Sequence, residues 1–195
     1  MGGQNLQNSR SQSATTISPQ NVAALKRKWV FTTRGDVSAT PAVYDGTVYF
    51  PDWGGYFYAV NATTGALQWS TWVGHWTGVT GDWARSDPAI DGNTLVLGDG
   101  AGGSTAKWTA ADGLTGPGAR VIAVNRLTGA LKWSTQVETF PAAYITGSPV
   151  IYNGVVYIGV SSNEEDLAVK EAYPCCAIRA VSERIESWEG FPNRL

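Results

Sequence analysis

The 195-residue chain has little charge, one methionine, two cysteines and a single histidine. Charged residues make up 15% of it, where an ordinary soluble domain has roughly a quarter. Lys+Arg 14 against Asp+Glu 16 leaves a net charge of -2, so no basic patch marks the chain as a nucleic-acid binder. One His and two Cys fall short of the four side chains of a Cys/His zinc site. His75, in Trp72-Val-Gly-His-Trp76, has no nucleophile elbow beside it, which argues against a Ser-His-Asp hydrolase. Between two tryptophans it reads as a structural hydrogen-bonding residue. No apolar run approaches the ~20 residues of a membrane-spanning helix. Residues 1–10 show neither the charged nor the apolar region of a secretory signal.

What the chain has in plenty is Gly 23, Trp 9 and Tyr 8. Glycine at about 12% is nearly double its usual share. Little charge with many glycines and aromatics favours short strands and tight turns over helices. The one segment that reads as helical is Ser18-Pro-Gln-Asn-Val-Ala-Ala-Leu-Lys26, with Ser18 as cap and Pro19 in the first helical position.

The chain also repeats itself. Tyr58-Ala-Val-Asn-Ala-Thr-Thr-Gly-Ala-Leu-Gln-Trp-Ser-Thr71 is matched at ten of fourteen positions by Ile122-Ala-Val-Asn-Arg-Leu-Thr-Gly-Ala-Leu-Lys-Trp-Ser-Thr135. Upstream lies a second shared unit, which begins near Ala39, Ser86 and Gly147, so a third start is present without a third finish. Each unit reads as four strands. Asp45-Gly46 and Asn153-Gly154 are hairpin dipeptides. Gly65 and Gly129 close Asn-x-x-Thr-Gly turns in which a Cβ would be penalised. Trp69 and Trp133 fall on the fourth strand.

Four antiparallel strands every ~40 residues is the pattern of a β-propeller blade. The expected fold is all-β: a partial propeller of about two complete blades with partial ones on either side. The Gly-rich stretch 98–120 carries no phosphate-loop pattern and reads as a long connection between the second and third strands of its blade. Asn61-Ala-Thr63 matches a glycosylation acceptor by pattern.

The Ala-Val-Asn-x-x-Thr-Gly-x-Leu-x-Trp unit, at Ala59–Trp69 and Ala123–Trp133, resembles the tryptophan-docking motif of eight-bladed quinoprotein propellers. These are alcohol dehydrogenases that use pyrroloquinoline quinone (PQQ). The resemblance implies that Trp69 and Trp133 are buried between neighbouring blades and that Gly65 and Gly129 shape the turns. Residues 1–10, 17–25, Ser161-Ser-Asn-Glu-Glu165 and Cys175-Cys-Ala-Ile-Arg179 are similar to the polyvinyl-alcohol dehydrogenase branch of that family. The likeness covers residues 1–180, read as a partial propeller. Residues 181–195 read as a divergent tail that forms no blade and lacks the Thr-Gly turn. A truncated or frame-shifted product is the reading that accounts for this break.

Several site assignments follow from the resemblance alone. It implies that Cys175 and Cys176 form a ring disulfide against one face of the quinone, at the channel end of the blades; two ordinary thiols remain the alternative. It implies that Glu165, in the acidic run Glu164-Glu-Asp166, lies near the quinone and its Ca²⁺, since calcium selects oxygen ligands. A solvated loop tip is the alternative there. It implies that Arg179 pairs with the quinone oxygens. No catalytic residue is assigned, because the base and most calcium ligands would lie on blades outside this chain. The implied partners are an alcohol and an electron acceptor such as cytochrome c, in the periplasm or outside the cell. A non-enzymatic propeller, acting as a scaffold for protein contacts, is the rival expectation.

Overall fold

The computed structural model describes residues 15–102, 107–109 and 113–162. In the first unit β1 (Ala42–Tyr44), β2 (Thr47–Pro51), β3 (Tyr56–Asn61) and β4 (Leu67–Trp72) lie side by side in chain order, antiparallel throughout. The β1–β2 turn has Asp45 at φ 48° and Gly46 at φ 72°. Both central residues are left-handed, the geometry whose twist suits a two-residue hairpin. A five-residue helix, α1 (Val73–Thr77), follows β4.

The second unit repeats the plan with β5 (Ala89–Asp91), β6 (Thr94–Gly98), β9 (Ala119–Asn125) and β10 (Leu131–Glu138), in the order β10-β9-β6-β5. The connection from β6 to β9 is not plain loop, as the sequence suggested. It carries a ladder of its own, β7 (Lys107–Thr109) against β8 (Gly113–Thr115). A third unit is represented by the hairpin β12 (Val150–Tyr152) and β13 (Val155–Tyr157), turned by Asn153 at φ 50° and Gly154 at φ 72°. Beside it β11 (Ala143–Tyr144) pairs with β14 (Ser161–Ser162).

The two complete sheets share one pairing register around their last two strands. Trp69 lies opposite Ala59, and Trp133 opposite Ala123. In each outer strand the residue before the tryptophan, Gln68 or Lys132, is bulged out of the ladder. A bulge bends and re-aims the strand locally, here at the position that presents the indole.

Side chains alternate across each sheet, and both faces are covered. One face of the first sheet sends Phe50, Tyr58 and Val60 against Trp29 and Phe31. The other sends Tyr49, Phe57 and Ala59 against Leu95, Leu97, Ile122 and Val124 of the second sheet. The second sheet in turn packs Val96, Val121 and Ala123 against Ile145, Val156 and Ile158. Sheets stacked face to face with apolar residues between them are the layers of a propeller.

A tryptophan seated on a glycine joins one unit to the next. Trp69 donates from Nε1 to the Arg126 carbonyl at 2.9 Å, and its ring lies flat over Gly129. One unit earlier Trp29 donates to the Ala62 carbonyl at 3.0 Å and lies over Gly65. The resemblance implies that Trp69 and Trp133 are buried; both are half-buried and packed against the apolar clusters between units. The turn beneath is held by Asn61, whose side-chain oxygen accepts from Thr63 and Thr64, both at 2.9 Å. The glycosylation pattern therefore falls on an amide that closes a tight turn.

The N-terminal turn also differs from expectation. Only Val22–Ala24 is helical, as a 3₁₀ turn. Asn21 rather than Ser18 organises it, accepting from the Ser18 amide and donating to the Thr16 carbonyl, both at 2.7 Å.

The two glycine classes separate by substitution. At Gly129 an added Cβ would meet Trp69 at 2.8 Å on a backbone of φ +71°; at Gly154 the backbone is the same, φ +72°, with open space around it. Gly154→Ala should cost about 1–2 kcal/mol from the left-handed backbone. Gly129→Ala should cost a further 1–3 kcal/mol or so by displacing the indole. Equal urea midpoints for the two variants would show that the indole is not clamped.

Candidate functional site

The Asp45-Gly46 hairpin and the Asn-x-x-Thr-Gly turns share one end of the sheets. The connections β2–β3, β4–β5 and β6–β9 share the other, with the starts of the innermost strands β1 and β5. Among the described residues the polar side chains buried at this second end are Ser86, bonded to the Gly98 main chain, and three aspartates.

Asp52, just after β2, is 1% exposed. Its Oδ2 accepts from the amides of Arg34 (3.0 Å) and Gly35 (2.9 Å) and from the Tyr58 hydroxyl (2.8 Å), and its Oδ1 accepts from the Tyr56 amide (2.9 Å). Four donors on one carboxylate tie the incoming segment 33–35 to the β2–β3 connection. Burial pushes the Tyr58 phenol up to about 12, and its hydrogen bond to Asp52 adds to the shift.

Asp99 occupies the same register after β6. Its Oδ1 accepts from the Arg120 amide at 2.7 Å, the counterpart of the Tyr56 contact. Its Oδ2 has no hydrogen-bond partner among the described residues, and the side chain is buried. In place of further donors it faces Asp82, itself buried, from the β4–β5 connection. Asp82 accepts from the Thr77 hydroxyl at 2.6 Å and from the Trp83 amide at 2.7 Å. Burial pushes Asp82 up to about 6. Burial, with the repulsion of Asp82, pushes Asp99 up to about 8.

Asp87 stands nearer the axis. Its two carboxylate oxygens accept from the Thr40 amide at 2.5 Å and the Ser148 hydroxyl at 2.8 Å. Thr40, Asp87 and Ser148 each precede the proline that opens an innermost strand, so equivalent residues of three units are stitched into a rim. Above it Trp53 and Trp83 stack at 4.5 Å, with the Arg85 guanidinium 5.2 Å over the Trp53 ring.

Of the residues singled out in the sequence, Gly65 lies under Trp29, Gly129 lies under Trp69, and Trp133 packs against the apolar cluster shared with the third unit. Cys175, Cys176, Glu165 and Arg179 lie outside the described residues, as does the tail from Val181. His75 is exposed on α1, and its neighbour Trp76 makes the structural bond, donating to the Gly129 carbonyl at 3.0 Å. The aspartates were missed, although aligning the repeats puts Asp52 over Asp99. Among the described residues no group of three or more His, Cys, Asp or Glu is placed to hold a metal ion. No described helix is long and apolar enough to cross a membrane.

A stack of four-stranded antiparallel sheets joined by tryptophans defines a propeller of the quinoprotein kind. The chain belongs to the PQQ_2 family, described as "Outer membrane protein assembly factor BamB", whose model matches residues 12–189. It is 26% identical to a polyvinylalcohol dehydrogenase of Pseudomonas sp over 96% of this chain and 27% of that protein. It is 31% identical to the dehydrogenase subunit of a quinone alcohol dehydrogenase of Gluconacetobacter polyoxogenes, over 76% of this chain and 20% of that one. A tetrathionate hydrolase of Acidianus ambivalens is 34% identical over 60% of this chain and 19% of its own. The chain thus spans about a quarter of the polyvinylalcohol dehydrogenases it matches, 27% and 26%. Among solved structures, a europium-containing methanol dehydrogenase superposes with TM-score 0.52 at 15% identity, over 69% of this chain and 29% of that one. At that identity it speaks for the fold.

Replacing Asp52 by Ala should release the Arg34 and Gly35 amides, since it removes both oxygens that accept from them and from their neighbours. The expected loss is about 2–4 kcal/mol, with faster hydrogen exchange at residues 34–35, while Tyr58→Phe, which removes one donor, loses less. Unchanged exchange in Asp52→Ala would show that the carboxylate does not hold this segment.

Proposed function

We propose that the chain is part of a PQQ-dependent alcohol dehydrogenase of the polyvinyl-alcohol dehydrogenase kind. The observation that carries this reading is the match to two polyvinylalcohol dehydrogenases over 96% and 94% of the chain. In this reading the quinone supplies a two-electron acceptor for the oxidation of an alcohol to a carbonyl. Cys175 and Cys176 cover one face of it as a ring disulfide, Arg179 donates to its oxygens, and Glu165 stands beside its calcium. The tryptophans, glycines and Asp52 hold the blades and touch no substrate. The electrons leave to an acceptor such as cytochrome c, in the periplasm or outside the cell, where a disulfide persists. The base and the other calcium ligands belong to further blades, so the 195 residues alone turn over little or no alcohol.

A second reading is a propeller without cofactor that serves as a scaffold for protein contacts. The description of the matching family, an assembly factor of the outer membrane, favours it. The likeness to tetrathionate hydrolases shows that these blades accompany more than one chemistry.

Titration of the gene product that contains these blades with PQQ and Ca²⁺, followed by quinone absorbance, separates the two. Saturable binding that weakens on reduction or in Cys175→Ser/Cys176→Ser, with dye-linked oxidation of an alcohol, supports the dehydrogenase. Absence of quinone binding in a folded sample supports the scaffold. Two thiols that alkylate freely under oxidising conditions would remove the ring disulfide from either reading.

A further inference from the structure

We propose that Asp82 and Asp99 share one proton in the folded chain, with Asp99 a neutral acid that donates from Oδ2 to the Asp82 carboxylate, and that losing this proton loosens the β4–β5 connection. The proposal is independent of the reading of the protein as a dehydrogenase.

The comparison of the two units carries it. Asp52 and Asp99 stand at the same register and accept the same main-chain bond on Oδ1, from Tyr56 and Arg120. At Asp52 three donors fill Oδ2; at Asp99 none does among the described residues. The segment that could have supplied main-chain donors there brings a second carboxylate instead. Gly100 donates to the Trp83 carbonyl at 2.7 Å, so the chain beside Asp99 is docked on the chain beside Asp82. Both side chains are buried, at 0% exposure. Two adjacent buried carboxylates cannot both ionise without a large desolvation and repulsion cost. A proton on Asp99 removes a charge and turns an orphaned acceptor into a donor. The raised titration of both groups is what such a pair shows.

Among the described residues Asp82 repels Asp99, and the Arg120 charge attracts both. Arg120 is half-buried and its Nε makes no hydrogen bond among the described residues, so its charge moderates the repulsion without filling Asp99 Oδ2. The elements packed around the pair bring other titratable groups. His75 of α1 is exposed, Arg85 lies over Trp53, and Asp87 is bonded to Thr40 and Ser148. Asp52 is satisfied by its own donors, and Glu138 and Tyr144 come from β10 and β11.

The sign of the pH effect follows. Between the unfolded carboxyl value of about 4 and the raised folded values, the folded chain binds more protons than the unfolded one. Stability is therefore greatest in mild acid and falls as pH rises toward about 8, opposite to the usual behaviour of surface carboxylates. Asp99→Asn keeps the acceptor for the Arg120 amide and supplies a permanent NH₂ donor toward Asp82.

The experiment uses the full chain, with urea unfolding at about pH 5.5 and about pH 8.5 and infrared difference spectra between wild type and Asp99→Asn at neutral pH. The proposal expects the folded-to-unfolded ratio of wild type to fall at least tenfold over that interval. In Asp99→Asn it should change by less than threefold and exceed that of wild type at the higher pH. A protonated-carboxyl carbonyl band should be present in wild type and missing from Asp99→Asn, and Asp82→Asn should also lose the pH slope. No such band, with an unchanged slope in both variants, would overturn the proposal and leave Arg120 as the partner of an ionised Asp99. Stability that rises with added Ca²⁺ in wild type but not in Asp99→Asn would overturn it in favour of a cation between the carboxylates.

Discussion

An indole lying on a glycine, with its N–H on a carbonyl of the same turn, sets the spacing of this structure. Trp29 on Gly65 and Trp69 on Gly129 are one contact made twice. It needs an Asn-closed turn that presents a carbonyl and a glycine without a Cβ; at Trp69 a bulge at Gln68 accompanies it. Each sheet carries both halves of the joint, the turn on one face and the indole on the other. The units therefore add in one direction, and the apolar residues between them follow the same spacing.

A second tie lies nearer the axis. Arg126, in the variable part of the second turn, reaches back with 8% of its side chain exposed to pair with Asp45 at 3.1 Å. The same guanidinium donates to the Gly92 carbonyl at 2.8 Å and stands 4.7 Å over the Tyr44 ring. Its counterpart in the first unit is Ala62, so this bond belongs to one joint and not to the repeat. At the opposite end Asp87 gathers Thr40 and Ser148. The repeat supplies the scaffold, and single departures from it supply the particular contacts.

The carboxylates at the β2–β3 and β6–β9 connections show how much such departures matter. Asp52 is a structural clasp because the incoming chain brings it two amides and its sheet brings it a phenol. Asp99 keeps the register and loses the donors, because the longer connection through α1 places Asp82 where amides stood before. The same residue at the same position thus has opposite electrostatic surroundings in successive units.

The sequence by itself determined the sheets, their turns and the way they join, because those rest on local patterns. Strand alternation, left-handed glycines, hairpin dipeptides and the fixed distance from turn to tryptophan all act within about fifteen residues of chain. It also pointed to the family through that repeated unit. Tertiary structure alone decided the ladder inside the β6–β9 connection, the short helix after β4 and the exposure of His75. It alone brought Asp82 to Asp99 and stitched Thr40 to Ser148 through Asp87. These pairs come from connections of unequal length that meet only when neighbouring sheets are stacked, and a carboxylate's charge depends on which donors then surround it. No spacing along the chain encodes that.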